Sequence, residues 1–160
     1  MPAFTVSFSF LEPQSRKGVY FKQDGQRFGT DRTIKFCTAV KYEIRITVKP
    51  PVAPLRSLII GGDELTPDSE EEQPAQSSYL FTWFTNGHSP TGSRRRLDVP
   101  FIFRFDGVEF ATSFQTKFYP VTSASHLTWG TEVKQIQLEG RGEFGGGATQ
   151  RLTPTNVTFV

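Results

Sequence analysis

Residues 97–110, LDVPFIFRFDGVEF, contain the clearest strand and turn pattern of the chain. Apolar side chains occupy every second position before an Asp106-Gly107 pair, which is a typical two-residue hairpin turn because glycine accepts positive φ without strain. Aromatic residues continue beyond the turn at Phe110, Phe114 and Phe118. The stretch predicts an antiparallel hairpin with a continuous aromatic face.

The same two-residue period runs through the rest of the chain. Residues 4–10 alternate phenylalanine or valine with small polar residues, and residues 41–49 alternate charged and apolar ones. No window shows the apolar stripe of a helix. The pattern predicts an all-β protein of about 9–10 antiparallel strands. A flattened barrel or a sandwich is expected, because both reduce the number of exposed sheet edges.

Length and composition indicate one β domain that spans residues 1–160. A net charge of +2 is too small and too evenly spread to indicate nucleic-acid binding. No stretch is apolar enough to predict a membrane span. The amino terminus lacks the pattern of a secretory signal, and Cys37 has no second cysteine for a disulfide. A cytoplasmic location is therefore expected.

Two segments are predicted to be loops. Residues 63–78 carry acidic side chains and two prolines, a composition that favours a mobile acidic loop. Residues 86–96 form a basic loop that ends in Arg94-Arg95-Arg96. These guanidinium groups are either simply solvated, which is the commoner case, or contact an anionic lipid headgroup, a phosphorylated tail or the acidic loop.

The residues that usually carry catalysis or metal binding do not form a recognisable set. His88 and His126 lie in polar segments without a nucleophile or paired carboxylate at a known spacing. Two histidines and one cysteine cannot complete a typical structural zinc site. We therefore predict no enzyme activity, no metal and no cofactor. Cys37 is interpreted as a small buried apolar residue.

Aromatic residues are the candidates for a ligand-binding surface. Core packing is the favoured role, and an apolar mouth or interior that binds a peptide side chain or an acyl chain is the alternative. The candidate residues are Phe101, Phe103, Phe105, Phe110, Phe114, Phe118 and Trp129.

The carboxyl terminus, Thr158-Phe159-Val160, allows two interpretations. A hydroxyl residue two places before an apolar final residue, here Thr158 and Val160, is typical of ligands that PDZ domains capture. The alternation of Val157, Thr158 and Phe159 fits a last strand of the sheet equally well.

A further motif, Asp24-Gly25-Gln26-Arg27-Phe28-Gly29 followed by Arg32-Thr33-Ile34-Lys35, resembles the signature of the cannabinoid receptor-interacting proteins. The likeness returns at residues 60–62, 100–101, 115–119 and 126–130. Within the motif, Gly25 and Gly29 are expected to serve the turn. Arg27 and Arg32 are expected to be structural, with a carboxylate-binding fork as the alternative.

This resemblance implies an antiparallel β fold similar to the lipid-binding domain of the Rho GDP-dissociation inhibitors. It also implies a partner such as the intracellular tail of a cannabinoid receptor, bound by an adaptor that modulates G-protein-coupled receptor signalling near the plasma membrane. The alternative function is a carrier that shields the lipid group of a client protein inside the barrel.

Overall fold

The computed structural model describes residues 2–23, 32–92, 95–123, 127–145 and 147–160. Within these residues the chain is built almost entirely from strands, with short 3₁₀ turns at Thr85–Gly87 and Val121–Ser123 and a single α-helical residue at Leu127. The all-β prediction is confirmed. The strands are β1 (Ala3–Glu12), β2 (Lys17–Gln23), β3 (Arg32–Cys37), β4 (Lys41–Lys49), β5 (Leu55–Ile60), β6 (Asp63–Leu65), β7 (Ser69–Glu72), β8 (Ser77–Phe84), β9 (Leu97–Phe105), β10 (Val108–Tyr119), β11 (Thr131–Val133), β12 (Ile136–Arg141), β13 (Gln150–Leu152) and β14 (Asn156–Phe159).

These strands form two packed layers. The first layer runs β7-β8-β4-β1-β12-β14, and the second runs β6-β5-β9-β10-β3-β2-β11, with β13 added to β10. The end of β1 pairs with the start of β2 at Leu11↔Gly18, and this pairing joins the layers. The result is an open, flattened sandwich. Most pairs are antiparallel, whereas β10 is parallel to both β3 and β13.

The prediction of 9–10 strands is too low, because five of the fourteen described strands are only three or four residues long. Strands this short contain too few residues to show an alternation. Residues 131–139 pose a related difficulty, because the alternation of apolar and polar residues slips out of phase between Val133 and Ile136. The slip marks a change of layer: β11 pairs with β2, whereas β12 pairs with β1.

The core lies between the layers and consists largely of aromatic rings. On β1, the side chains of Phe4, Val6, Phe8 and Phe10 all point inward and are buried. The Phe8 ring lies 5.4 Å from that of Phe103, centroid to centroid, across the two layers. Aromatic packing of this kind combines a large buried area with specific ring geometry. It leaves the middle of the sandwich filled.

The segment 63–78 is not the unstructured loop that its composition predicts. Its β6 and β7 strands pair with β5 and β8 at the two outer edges of the sheet. All four residues of β7 are exposed. An edge strand of this kind pairs through its backbone while its carboxylates stay in water, so acidic composition does not prevent strand formation. The Asp68 carboxylate also accepts a hydrogen bond from the Thr82 hydroxyl at 2.6 Å.

The segment 86–96 contains no strand among its described residues. It is held to β10 at Thr91, whose backbone N–H and hydroxyl both donate to the Phe118 carbonyl, at 3.0 and 3.2 Å. Arg95 and Arg96 are exposed. Arg94 lies outside the described residues.

Candidate functional site

The six candidate phenylalanines of β9 and β10 lie in the core. Phe101, Phe103 and Phe110 have no measurable exposure, and Phe105, Phe114 and Phe118 are also buried. Phe110 and Phe103 are register partners across the hairpin, whose Asp106-Gly107 turn has a φ of 79° at the glycine. Phe114 also borders a surface cavity described below.

Trp129, the seventh candidate, lies on the surface with 67% of its area exposed. Its backbone carbonyl accepts a hydrogen bond from the ammonium group of Lys35, a buried side chain on β3. The same ammonium lies 5.7 Å from the centre of the indole ring. Gly130 follows with a φ of +123° and packs against the backbone of Phe21. Trp129 is therefore anchored to β2 and β3, well apart from the core phenylalanines.

The residues of the signature motif divide into two groups. Asp24, Gly25, Arg27, Phe28 and Gly29 lie outside the described residues. Arg32 is described and begins β3. The β2 and β3 strands that flank the motif pair antiparallel, from Tyr20↔Lys35 to Gln23↔Arg32.

A cavity of about 540 Å³ opens beside Arg32, and we call it the Arg32 cavity. The central carbon of the guanidinium group lies 4.9 Å from the centre of the Phe159 ring and 5.6 Å from that of Phe21. Cation–π contacts on both rings hold the group in place. Its Nε is buried and has no hydrogen-bond partner in the described part of the chain. The lining residues are Arg32, Asp98, Thr112, Ser113, Phe114, Gln115, Asn156, Val157 and Phe159.

The Arg32 cavity lies where the pairing of β10 is interrupted. One edge of β10 pairs continuously with β9. The other pairs with β13 over Val108–Phe110 and with β3 over Gln115–Tyr119. Among the described strands, none pairs with residues 111–114 on that second edge, and we call these residues the open interval of β10. Three of them line the cavity.

A second cavity, of about 490 Å³, lies where the end of β1, the start of β2, the end of β3 and the start of β4 meet. We call it the Cys37 cavity. Apolar side chains contribute much of its wall, among them Val19, Val40 and Leu127. The Tyr42 hydroxyl, within the same wall, accepts a hydrogen bond from the Cys37 N–H at 2.8 Å.

Burial and hydrogen bonding shift the pKa values of three groups that line the Cys37 cavity. Burial raises the pKa of the Cys37 thiol, and the Glu12 charge raises it further. Burial likewise raises the pKa of the Tyr42 phenol above its ordinary value. The pKa of Glu12 is lowered, chiefly by a hydrogen bond with the Ser15 side chain, and the Ser15 N–H, 2.8 Å from the carboxylate, lowers it further. A raised thiol pKa makes Cys37 a poor nucleophile.

His88 lies within a polar cluster that the sequence did not indicate. Its Nε2 lies 2.6 Å from the Asp63 carboxylate, which also accepts a hydrogen bond from Trp83 Nε1 at 3.0 Å. The imidazole stacks on Phe118, with 4.9 Å between ring centres. Because Asp63 lies on β6 and Trp83 on β8, the cluster ties the second layer to the first. No spacing signal exists for residues 25 positions apart.

No group of three or more residues that could hold a metal ion occurs in the described part of the chain. His126 lies outside it.

The carboxyl terminus takes part in the sheet. Thr158 is paired with Gln137 of β12, and the Val160 N–H donates to the Gln135 carbonyl at 2.8 Å. The Val160 carbonyl accepts from the Lys134 N–H at 2.9 Å. Capture of Thr158 and Val160 by a PDZ domain would therefore require β14 to leave β12.

The architecture and the two cavities define an all-β sandwich protein with concave sites at strand ends and edges. The sequence matches the family model described as CB1 cannabinoid receptor-interacting protein 1 over residues 1–147. Curated relatives of that name from Bos taurus and Homo sapiens are each 32% identical over 124 residues, which cover 76% of this chain and 76% of theirs. The chain belongs to the CB1 cannabinoid receptor-interacting protein 1 family. The described residues include no helix long and apolar enough to cross a membrane.

Proposed function

We propose that the protein is a non-enzymatic cytoplasmic adaptor that binds the intracellular tail of a cannabinoid-type receptor and thereby modulates G-protein-coupled receptor signalling. Membership of a family named for interaction with the CB1 cannabinoid receptor is the observation that carries this proposal. Receptor tails lie at the inner face of the plasma membrane, which places the adaptor there when it is bound.

Geometry favours binding over catalysis. The Arg32 cavity and the Cys37 cavity offer what an extended peptide requires: an unpaired strand edge for main-chain hydrogen bonds at the first and an apolar recess for a side chain at the second. The thiol in the Cys37 cavity is neutral, and His88 is already engaged by Asp63. A PDZ domain as a further partner would compete with the pairing of β14 on β12, so we assign it no role in the resting protein.

A carrier of lipidated clients is the second candidate function, and the apolar wall of the Cys37 cavity favours it. Its ligand would be an acyl or prenyl group of a client protein. The packed core leaves this cavity, and not the middle of the sandwich, as the place for such a chain. Each CH₂ group transferred from water would contribute about 0.8 kcal/mol.

Calorimetric titration with a receptor-tail peptide, bare and N-myristoylated, distinguishes the two functions. An adaptor binds both forms with similar affinity, whereas a carrier loses most of its affinity for the bare peptide. Val40→Trp fills the Cys37 cavity, and Val121→Trp is the matched control, because Val121 is already 61% exposed. A bare tail that fails to bind the wild-type protein refutes the adaptor. A myristoylated tail whose affinity is unchanged in Val40→Trp refutes the carrier at this cavity.

A further inference from the structure

We propose that the Arg32 cavity is a carboxylate-binding slot, and that its ligand is an extended peptide segment that adds to the open interval of β10. The inference goes beyond the proposed function, because it concerns any segment that carries a carboxylate and is independent of the identity of the receptor.

The first argument is the state of Arg32. Buried polar groups in folded proteins are nearly always hydrogen-bonded, and an exception calls for an explanation. The buried Nε of Arg32 has no partner in the described part of the chain, and its guanidinium lies against two aromatic rings that also contact each other. A guanidinium fork held in this way suits a carboxylate, which it can bind through two parallel hydrogen bonds.

The second argument is the polarity of the surrounding wall. Gln115 accepts a hydrogen bond from the Thr33 hydroxyl at 2.9 Å through its side-chain oxygen, which leaves its NH₂ group as the remaining hydrogen-bonding group of the amide. Asn156, Thr112 and Ser113 add further polar groups to the cavity. The wall thus contains several donors for an anionic group besides the arginine.

Asp98 limits the kind of anion that fits. This exposed carboxylate is the register partner of Gln115 and lines the same cavity, so it repels a multiply charged ligand such as a phosphate. A single carboxylate is repelled less than a phosphate, and the main-chain N–H groups of a peptide can donate hydrogen bonds to Asp98. Charge complementarity therefore favours a peptide over an inorganic anion.

The third argument is the geometry of the sheet. The open interval lies between the ends of β13 and β3 along one edge of β10. Four residues of strand span about 13 Å. Backbone groups that point from this edge have no strand partner among the described residues, which is the situation that strand addition satisfies. Val157 and Phe159 of β14 form the opposite apolar wall for alternate side chains of the incoming segment.

A terminal carboxylate and an acidic side chain supply the same chemistry, and three peptides separate them. The first is acetyl-Thr-Val-Thr-Val-Thr-Val with a free carboxylate, the second is the same peptide as an amide, and the third is the amide with Glu at the fifth position. Each is titrated into the ¹⁵N-labelled full chain while the amide signals of residues 111–115 are followed. We expect the first or the third peptide to shift these amide signals. We expect the second peptide to bind at least tenfold more weakly.

Arg32→Gln tests the role of the guanidinium, and Arg32→Lys retains the charge without the fork. Loss of a charge-assisted hydrogen-bonded pair should weaken the affinity for the peptide carboxylate by about 10–100-fold. Arg45→Gln is the control, since Arg45 is an exposed arginine of β4 that lies outside the Arg32 cavity. The thermal midpoint of each variant shows that it is folded. Replacing the peptide carboxylate by an amide should no longer weaken binding to Arg32→Gln, because the two changes remove one interaction.

Three results overturn the inference. One is an equal affinity of the wild-type protein for the free acid, its amide and the Glu peptide. The second is undiminished binding of the acid by folded Arg32→Gln. The third is the absence of any shift at residues 111–115 with millimolar peptide. If only the Glu peptide binds in an Arg32-dependent way, the ligand is an internal acidic segment and not a chain terminus.

Discussion

Replacing Phe103 by alanine is the sharpest test of the packed core. Phe103 has no measurable exposure and lies 5.4 Å from the ring of Phe8 and 6.4 Å from that of Phe110. Returning a buried phenylalanine side chain to water costs about 2–3 kcal/mol. A residual cavity of about 80 Å³ adds about 2 kcal/mol, at about 24 cal/mol per Å³. Together these contributions give a loss of about 4–5 kcal/mol in the free energy of unfolding, within the range of about 3–5 kcal/mol that is typical of buried Phe→Ala substitutions.

The assay is equilibrium unfolding in urea, followed by the fluorescence of the buried Trp83. With a slope of about 2 kcal/mol per molar urea, the midpoint should fall by about 2 M. Phe84→Ala is the matched control. Phe84 is 56% exposed and contacts Lys41 through its ring, so its loss should cost about 1 kcal/mol or less. Wild-type stability of Phe103→Ala together with lost peptide binding would refute the assignment of Phe103 to the core.

Four further predictions concern single sites. Gly130→Ala should destabilise by more than about 2 kcal/mol in the same urea assay, because its φ is +123° and its Cβ would lie 2.5 Å from the Phe21 carbonyl oxygen. Gly87→Ala, which meets no atom within 4 Å, is the control. Asp63→Asn should cost about 1–2 kcal/mol by weakening the bonds to His88 and Trp83, and an unchanged urea midpoint contradicts this. Cys37 should react with iodoacetamide far more slowly in the native than in the unfolded chain, because burial raises its pKa, and equal rates would exclude a buried thiol. The Arg56 guanidinium lowers the pKa of the Asp106 carboxyl through their hydrogen-bonded ion pair. The stability that this pair contributes is therefore present above about pH 4 and is lost as pH falls through the lowered pKa. Thermal midpoints measured against pH should fall less steeply towards acid for Arg56→Gln than for the wild-type protein.

Strands with long alternation could be predicted from the sequence because their environment differs on the two faces. Along β1, β4 and β9 every second side chain points into the core, and the β9–β10 turn requires glycine at Gly107. The local alternation of apolar and polar residues thus predicts both the strand and the face that it buries. The same signal explains why the six phenylalanines of β9 and β10 could be assigned a core role in advance.

The cavities could not be predicted in this way, because their residues come from strands that meet only in the folded sheet. Arg32 and Phe159 lie at opposite ends of the chain and contact each other because β14 pairs with β12 while β3 pairs with β10. The parallel pairing of β3 with β10 produces no local sequence pattern, because parallel partners are joined by long connections. Sequence alone likewise does not reveal that Lys35 is buried beneath Trp129.

Filling of the core bears on how this family member can bind a partner. A lipid could be held between the two layers only if the side chains there were small or movable, because a close-packed core has no room for it. Here the corresponding space is occupied by rings from both layers, such as Phe10, Phe36 and Trp83, with 5.0 Å between the centres of neighbouring rings in the tightest pairs. Opening that space by displacing one such ring would cost about as much as the Phe103→Ala substitution. A ligand bound at a strand edge or in a peripheral cavity avoids this cost, so the filled core argues against a lipid held between the layers and directs either kind of ligand to the Arg32 or the Cys37 cavity.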